Sequence, residues 1–439
     1  MQREHYDVVG IGFGPSNIAM AITLEEEAAG LKCLFLEKEA NSEWQTGLLL
    51  ANSDIQNHPL RDLATPRNPR SHYSFTNYLF EKQRLFEHLN MGLYYPYRYE
   101  YRDYIRWAAD HFDEQVRYST TVTGVRALTT QAGGARFEVS TSDGQTYTCA
   151  NLVVAGGRTP FVPPVLAAVE PDKLVHGVRF RTVVDRLESG QVQSVAVVGG
   201  SQSAIEIMIY LADKFPQLQV HGVSRKFGYC LKDSSPFTGE VYFPEFVDLF
   251  HDSKPAHRRR LQDDLRATNY SASDGDVLDE WYRVRYRDRH FGQQRLHVHN
   301  SVDIVSAVSV GSKVSLELMA AHSDEQITSL EVDLIVTATG FRDFGPGSHQ
   351  EVCPALLEGL YPMMEKEPDG QIKIQRDYRV ALQGMELGLY LNGLCESSHG
   401  MGDAGSLSLV SLRSQHIIKS IEARHAAAVG DGAIIKEEA

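Results

Sequence analysis

Cysteine is scarce. The five in the chain, Cys33, Cys149, Cys230, Cys353 and Cys395, are an odd, scattered set without a CxxC pair. That usage excludes a disulfide framework or a cysteine-based zinc site as an organising feature, and it fits a reducing compartment. Positive charge is also short, with 43 Lys and Arg against 57 Asp and Glu and a formal net charge of −14. Nucleic acid and anionic membrane are therefore not expected as main partners. No apolar run is long enough to span a bilayer. The N-terminus lacks a basic stretch leading into an unbroken apolar core, because Gly10 to Ser16 and Glu25 to Glu27 interrupt it. A cytoplasmic location is the expectation. At 439 residues the chain exceeds a single core and should divide into two or three domains.

What the chain does have is glycine in a telling place. Tyr6 to Met20 reads YDVVGIGFGPSNIAM. A short apolar run enters Gly10, Gly12 and Gly14, and apolar residues then recur at helical spacing to Leu24. This is the strand, tight turn and helix start that a dinucleotide pyrophosphate requires, since backbone N–H groups at the positive helix end stabilise a diphosphate. Pro15 replaces the usual third glycine; near the first turn, proline can start a helix. A second apolar run, Leu31 to Leu36, ends in Glu37, about 20 residues downstream, where an acid is expected to accept hydrogen bonds from a ribose.

The pattern repeats. Ser194 to Val198 leads into Gly199, Gly200, Ser201, Gln202 and Ser203, then an amphipathic helix through Leu211 and a strand, Leu218 to Val223. Here Ser201 replaces the middle glycine, and its hydroxyl can itself donate to phosphate. No acid follows the second strand. Arg225 and Lys226 stand there instead, which suits a ribose 2′-phosphate and hence NADPH; a solvated basic pair is the alternative.

Between and beyond the turns the organisation is coarser. Trp44 to Asn68 has no periodicity and reads as a functional loop carrying Trp44, Gln56, His58 and Arg61. The spacing predicts helices over 73–89 and 101–112, alternating strands between Val116 and Val154, and further strands at 302–308, 314–318, 332–336 and 388–391. The run His257 to Arg260 reads as a solvated helix face. Ala338, Thr339, Gly340 and Phe341 end a buried-looking strand; a closing helix is expected from Leu407 to about Arg424, and a mobile tail beyond Ala426.

Two nucleotide turns in one chain, separated by antiparallel strands, describe a flavoprotein reduced by a nicotinamide cofactor. One turn holds FAD and the other NADPH. The fold class is α/β, with two Rossmann-like dinucleotide-binding domains of the flavoprotein type and a small substrate-binding region. The expected division is 1–165 for the first part of the FAD domain, 190–330 for the NADPH domain with substrate segments, 331–425 for the second part of the FAD domain, and 426–439 for the tail.

Several segments together carry a family resemblance: GIGFGPSNIAMAI from Gly10, RDLATPRNPRSHYSFTNYL from Arg61, YPYRYEYRDYIRWA from Tyr95, VVGGSQSAIE from Val197, the run from Asp233 through Ser234, Ser235 and Pro236 to Phe237, TNYS from Thr268 and ATGF from Ala338. Over nearly its whole length the sequence resembles the flavin-dependent N-hydroxylating monooxygenases, in particular the ornithine and lysine hydroxylases of siderophore biosynthesis. The resemblance implies that NADPH reduces FAD, that oxygen adds to the flavin as a C4a-hydroperoxide, and that a neutral primary amine attacks its distal oxygen. It implies catalytic roles for Gln56, beside the flavin, and for Asn269, which also contacts substrate and nicotinamide. It places Trp44 near the isoalloxazine, and His399 and Gly400 near the cofactor's other side. It further implies a homo-oligomer, often a tetramer in the family.

Three departures bear on substrate. Where ornithine enzymes carry a lysine that pairs with the substrate carboxylate, this chain has Arg61, which keeps the charge on a longer, forked side chain. Gly239 stands where a substrate-binding asparagine is usual. The segment His399 to Ser414 gains Gly402 and Gly405. The expected reaction is N-hydroxylation of an ornithine-like primary amine; the alternatives are a diamine, histamine or aspartate, or oxidation at carbon or sulfur by a related flavoprotein.

Overall fold

A computed structural model describes residues 4–27, 30–129, 135–320 and 326–437. The apolar strand Glu4–Ile11, with Val8 and Val9 fully buried, lies inside an eight-stranded sheet. It is flanked in parallel by Cys33–Leu36 and Thr146–Val154, with Val9 opposite both Leu34 and Leu152. Gly388–Leu391 joins in parallel beyond Thr146–Val154, so the end of the chain extends the sheet that its beginning opens. Val122–Thr129 and Ala135–Thr141 pair antiparallel, as their alternation predicts, and Ala135–Thr141 joins the sheet by pairing antiparallel with Thr146–Val154. The closing helix Val410–Glu437 packs on the first helix, Pro15–Glu27.

The second sheet has five parallel strands in the order Leu296–Asn300, Gln219–Ser224, Ser194–Val198, Leu334–Thr337, Leu174–His176. Alternate residues of Ser194–Val198 serve opposite faces. Val195 and Val197 pack with Ile205 and Met208 of helix Gln202–Lys214 and with Trp281 of helix Gly275–His290. Ala196 and Val198 pack on an antiparallel ribbon, Val302–Val310, Lys313–Ala320 and Gln326–Val332. A sheet covered on both faces reads as an apolar run, as SVAVV does.

Three features differ from the expectations. Leu334–Thr337 and Leu174–His176 belong to the second sheet, so that sheet draws on residues outside the expected 190–330, and the first sheet resumes after the ATGF segment. The helix over 73–89 is two helices, Phe75–Glu81 and Leu85–Met91, because Gln83 between them has φ 57°, which ends a right-handed helix. The closing helix begins three residues after Leu407 and runs to Glu437. The side chains from residue 427 onward, and residues 438–439 entirely, lie outside the described residues, and the expectation of a mobile tail falls on them.

Candidate functional site

The first turn is built as its residues predict. Gly12 has φ 84°, and a Cβ there would sit 2.6 Å from the Ala155 carbonyl oxygen, where the strand ending in Val154 passes beneath the turn. Glycine alone fits. Gly10 packs against the Phe35 ring, whereas the space above Gly14 is open at the start of helix Pro15–Glu27. Glu37, nearly buried at the end of the second strand, accepts the Phe13 N–H at 2.6 Å and the Glu39 N–H at 2.9 Å. A carboxylate offers about four lone-pair positions, so two remain for ribose hydroxyls. Open N–H groups, a helix N-terminus and a fixed carboxylate fit an adenine dinucleotide.

The second turn borders a cavity of about 350 Å³ lined by Gly199, Gly200, Ser201, Thr339 and Gly340. Ser201 is the N-cap of helix Gln202–Lys214, yet its side chain makes no capping bond, and Ser203 follows in the first turn. Three cations reach this cavity: Arg225, Lys226 and, unforeseen in the sequence, Arg266. Lys226 Nζ donates to the Ser271 carbonyl at 3.1 Å, and Arg266 Nε to Ser271 Oγ at 3.3 Å. Arg225 is exposed and has no ion-pair partner among the described residues. A phosphorylated dinucleotide fits this donor set.

The loop between the two units owes its shape to buried charges. Asp62 is fully buried, and its carboxylate accepts from the N–H groups of Ala64, Thr65 and Phe75 and from the Thr65 hydroxyl. Arg67 bonds Glu26 and Glu27 of the first helix, joined by Asn68. The DLAT and RNP segments are thus clamps that hold the loop against the first unit. Trp44 is half-buried, edge-on to Tyr101 at 6.1 Å.

Within that frame the expected substrate residues converge on a side chain that no sequence motif singles out, Tyr242. It closes the turn Thr238–Tyr242, which contains Gly239. The Arg61 guanidinium lies 5.5 Å from its ring centre, and its hydroxyl donates to the Thr268 carbonyl at 3.1 Å, next to Asn269. Burial pushes the Tyr242 hydroxyl up to about 12, so it stays a donor. Arg61 is half-buried without a carboxylate partner among the described residues, and space beside Gly239 is open. Gly402 lets its segment lie directly on the Val241 carbonyl, which positions this turn.

Gln56 sits at φ 50°, a strained conformation for a residue with a side chain. Its Nε2 donates to Asp274 Oδ2 at 2.6 Å, and the Asp274 N–H donates to Gln202 Oε1 at 2.9 Å. Gln202 in turn donates to Glu206, which pairs with Arg98. Asp54 lies alongside, its carboxyl pushed up to about 6 by burial and then by Glu206 and Asp274.

His399 and Gly400 depart from the expected cofactor contact. The His399 ring is fully buried, stacked on Tyr378 at 4.2 Å, and its Nε2–H donates to the Arg376 carbonyl. Burial holds it neutral, well below the usual histidine range. Gly400 faces Phe246 and Phe250. Both residues are packing. The brace at this end of the chain is instead Arg413, which pairs with Asp403 at 3.0 Å, donates to Asn392 Oδ1 at 2.8 Å and, through Asn392 and Asn17, holds the Gly12 carbonyl.

Among known proteins, a family model described as L-lysine 6-monooxygenase/L-ornithine 5-monooxygenase matches residues 4–343. The L-ornithine N(5)-monooxygenase of Pseudomonas aeruginosa is 34% identical over 95% of this chain and 93% of its own length. A solved ornithine N-hydroxylase of Kutzneria sp. 744, with reduced FAD, NADP+ and L-ornithine, superposes with a TM-score of 0.87 at 33% identity, covering 96% of this chain and 100% of that one. An L-lysine 6-monooxygenase of Pseudomonas syringae superposes at 0.84 with 35% identity, over 96% and 100% of the two chains.

Proposed function

The chain belongs to the L-lysine 6-monooxygenase/L-ornithine 5-monooxygenase family, and from that premise we propose how its own residues serve N-hydroxylation of an ornithine-like primary amine in siderophore or related natural-product biosynthesis. It is an FAD- and NADPH-dependent monooxygenase. FAD, once reduced by NADPH, supplies activated oxygen for transfer to nitrogen. Gly10, Gly12, Gly14, Pro15 and Glu37 would hold FAD; Gly199, Gly200, Ser201, Ser203 and Arg225, with Lys226, Arg266, Thr339 and Gly340, would hold NADPH.

The observation that carries the substrate reading is the half-buried Arg61 guanidinium, stacked on Tyr242 and lacking a carboxylate partner among the described residues. A carboxylate seated there gains paired, charge-assisted hydrogen bonds that fix the substrate's orientation. The reacting nitrogen must arrive neutral with its lone pair free. Gln56 Oε1 and Asn269 Oδ1 are acceptors suited to take its N–H groups, which leaves the lone pair to attack oxygen. The Asn269 amide is steadied by the Gly405 carbonyl, 3.5 Å from its Nδ2.

A panel of L-ornithine, L-lysine, L-aspartate, putrescine and histamine, scored for hydroxylamine formed per NADPH consumed, tests this. L-Ornithine should lead and putrescine trail it. Equal turnover of the carboxylate-free amines would remove Arg61 from substrate recognition. The open volume beside Gly239, where a hydrogen-bonding asparagine is usual, supports a non-ornithine amine as the second reading. Assembly into a homo-oligomer is part of the proposal, and a monomeric mass by light scattering would overturn that part.

A further inference from the structure

Asp274 occupies the N-cap of helix Gly275–His290, the position where an aspartate ordinarily accepts the helix's free N–H groups. It makes no such capping bond. Its carboxylate is turned instead to Gln56, whose Nε2 it accepts at 2.6 Å, while Lys232 stands 3.9 Å from the other oxygen. We infer that Asp274 is a positioning residue for the N-hydroxylation: it sets which end of the Gln56 amide faces the reacting amine and ties that amide to the NADPH turn. The inference rests on the role proposed for Gln56.

The chemistry of the pair carries the argument. An ionised carboxylate only accepts hydrogen bonds, so the end of the Gln56 amide that meets Asp274 must be the NH2 group. Gln56 Oε1 is thereby turned away from Asp274, and it has no partner among the described residues. Without Asp274 the amide could rotate and present N–H groups to the amine. A donor in that place would compete for the lone pair that must attack oxygen. The backbone contributes on both sides. Gln56 holds φ 50°, and its N–H is fixed by Asp54 Oδ1 at 2.9 Å. Asp274 is fixed in turn by Gln202, the first residue of the helix that opens at the second dinucleotide turn. An unbroken run of hydrogen bonds thus links the place where NADPH would sit to the acceptor that would meet the amine.

The test is a double-mutant cycle on the FAD-loaded enzyme with Gln56→Ala, Asp274→Ala and the double variant, plus Asp274→Asn, which keeps an acceptor for Gln56 Nε2. Two readouts are taken: hydroxylamine formed per NADPH consumed, on the best amine of the panel above, and the visible spectrum of the bound flavin. Each alanine variant should lower the coupling ratio at least five-fold and shift the flavin bands alike. The double variant should be no worse than Gln56→Ala, and Asp274→Asn should recover at least half of the loss. If Gln56→Ala uncouples but Asp274→Ala does not, or if the two losses multiply in the double variant, the inference fails and the reading of Gln56 stands. If Gln56→Ala changes neither readout, both fall.

Discussion

Arg61 and Tyr242 face each other with the guanidinium 5.5 Å from the ring centre, and the Tyr242 hydroxyl fixes the carbonyl just before Asn269. One aromatic side chain therefore sets both the cation that would hold a carboxylate and the backbone of the amide that would meet the amine. Replacing Arg61 by Ala should raise KM for an amino acid substrate roughly ten- to hundredfold, the worth of about 1.5–3 kcal/mol for a hydrogen bond to a charged group. Anaerobic flavin reduction by NADPH should stay within two-fold. An unaltered KM would take Arg61 out of the pocket.

Arg225 lies exposed at the second cavity, without an ion-pair partner among the described residues. Arg225→Ala should reduce kcat/KM for NADPH by at least ten-fold and for NADH by less than three-fold. Lys226 and Arg266, which are tied to Ser271, should retain part of the preference. Equal losses for both cofactors would place the 2′-phosphate elsewhere.

Gly12→Ala puts a methyl group against the Ala155 carbonyl at a φ that side chains avoid. The purified variant should carry well under half the FAD of the parent, measured as flavin absorbance per protein. Full occupancy would mean that the turn yields without disturbing the cofactor.

Asp62→Asn keeps one acceptor oxygen where the carboxylate offers two to four buried donors. Unsatisfied buried donors cost about 1–3 kcal/mol each. The melting temperature should fall by several degrees, with the loop from Trp44 to Asn68 becoming protease-sensitive before the rest. An unchanged melting curve would show that the loop is held by Arg67 alone.

The Asp54 carboxyl is pushed up to about 6 from an ordinary 3.8, chiefly by burial, with Glu206 and Asp274 adding to it and Arg98 opposing. A raised acid pKa favours the folded state below pH 4 and loses that contribution as pH rises through about 6. Asp54→Asn should accordingly stabilise the protein at pH 8, by about 3 kcal/mol, and leave it nearly unchanged at pH 4. A variant less stable at pH 8 would contradict this.

Much of the fold was legible because its signals are local. Strand, turn and helix at Tyr6 to Leu24 lie within one short window, and SVAVV announces its two-sided burial by itself. The Gln56 to Asp274 bond was not legible, since 218 positions separate its partners and an aspartate before a helix reads as a cap. Tyr242 looked like one aromatic among many in a polar stretch. His399, which the family resemblance puts near the cofactor, is fully buried and stacked on Tyr378, an environment that no local pattern around it announces. The strands Leu174–His176 and Leu334–Thr337 are too short for their sheet to be assigned by pattern, because partners far along the chain decide it.

The first phosphate turn is braced from the far end of the polypeptide, by Arg413 through Asn392 and Asn17. During synthesis the glycine turn emerges from the ribosome first, hundreds of codons before its brace. The turn therefore reaches its braced form only after the end of the chain has folded back on it, and a chain cut short of residue 413 lacks that brace although it contains every residue of the glycine motif.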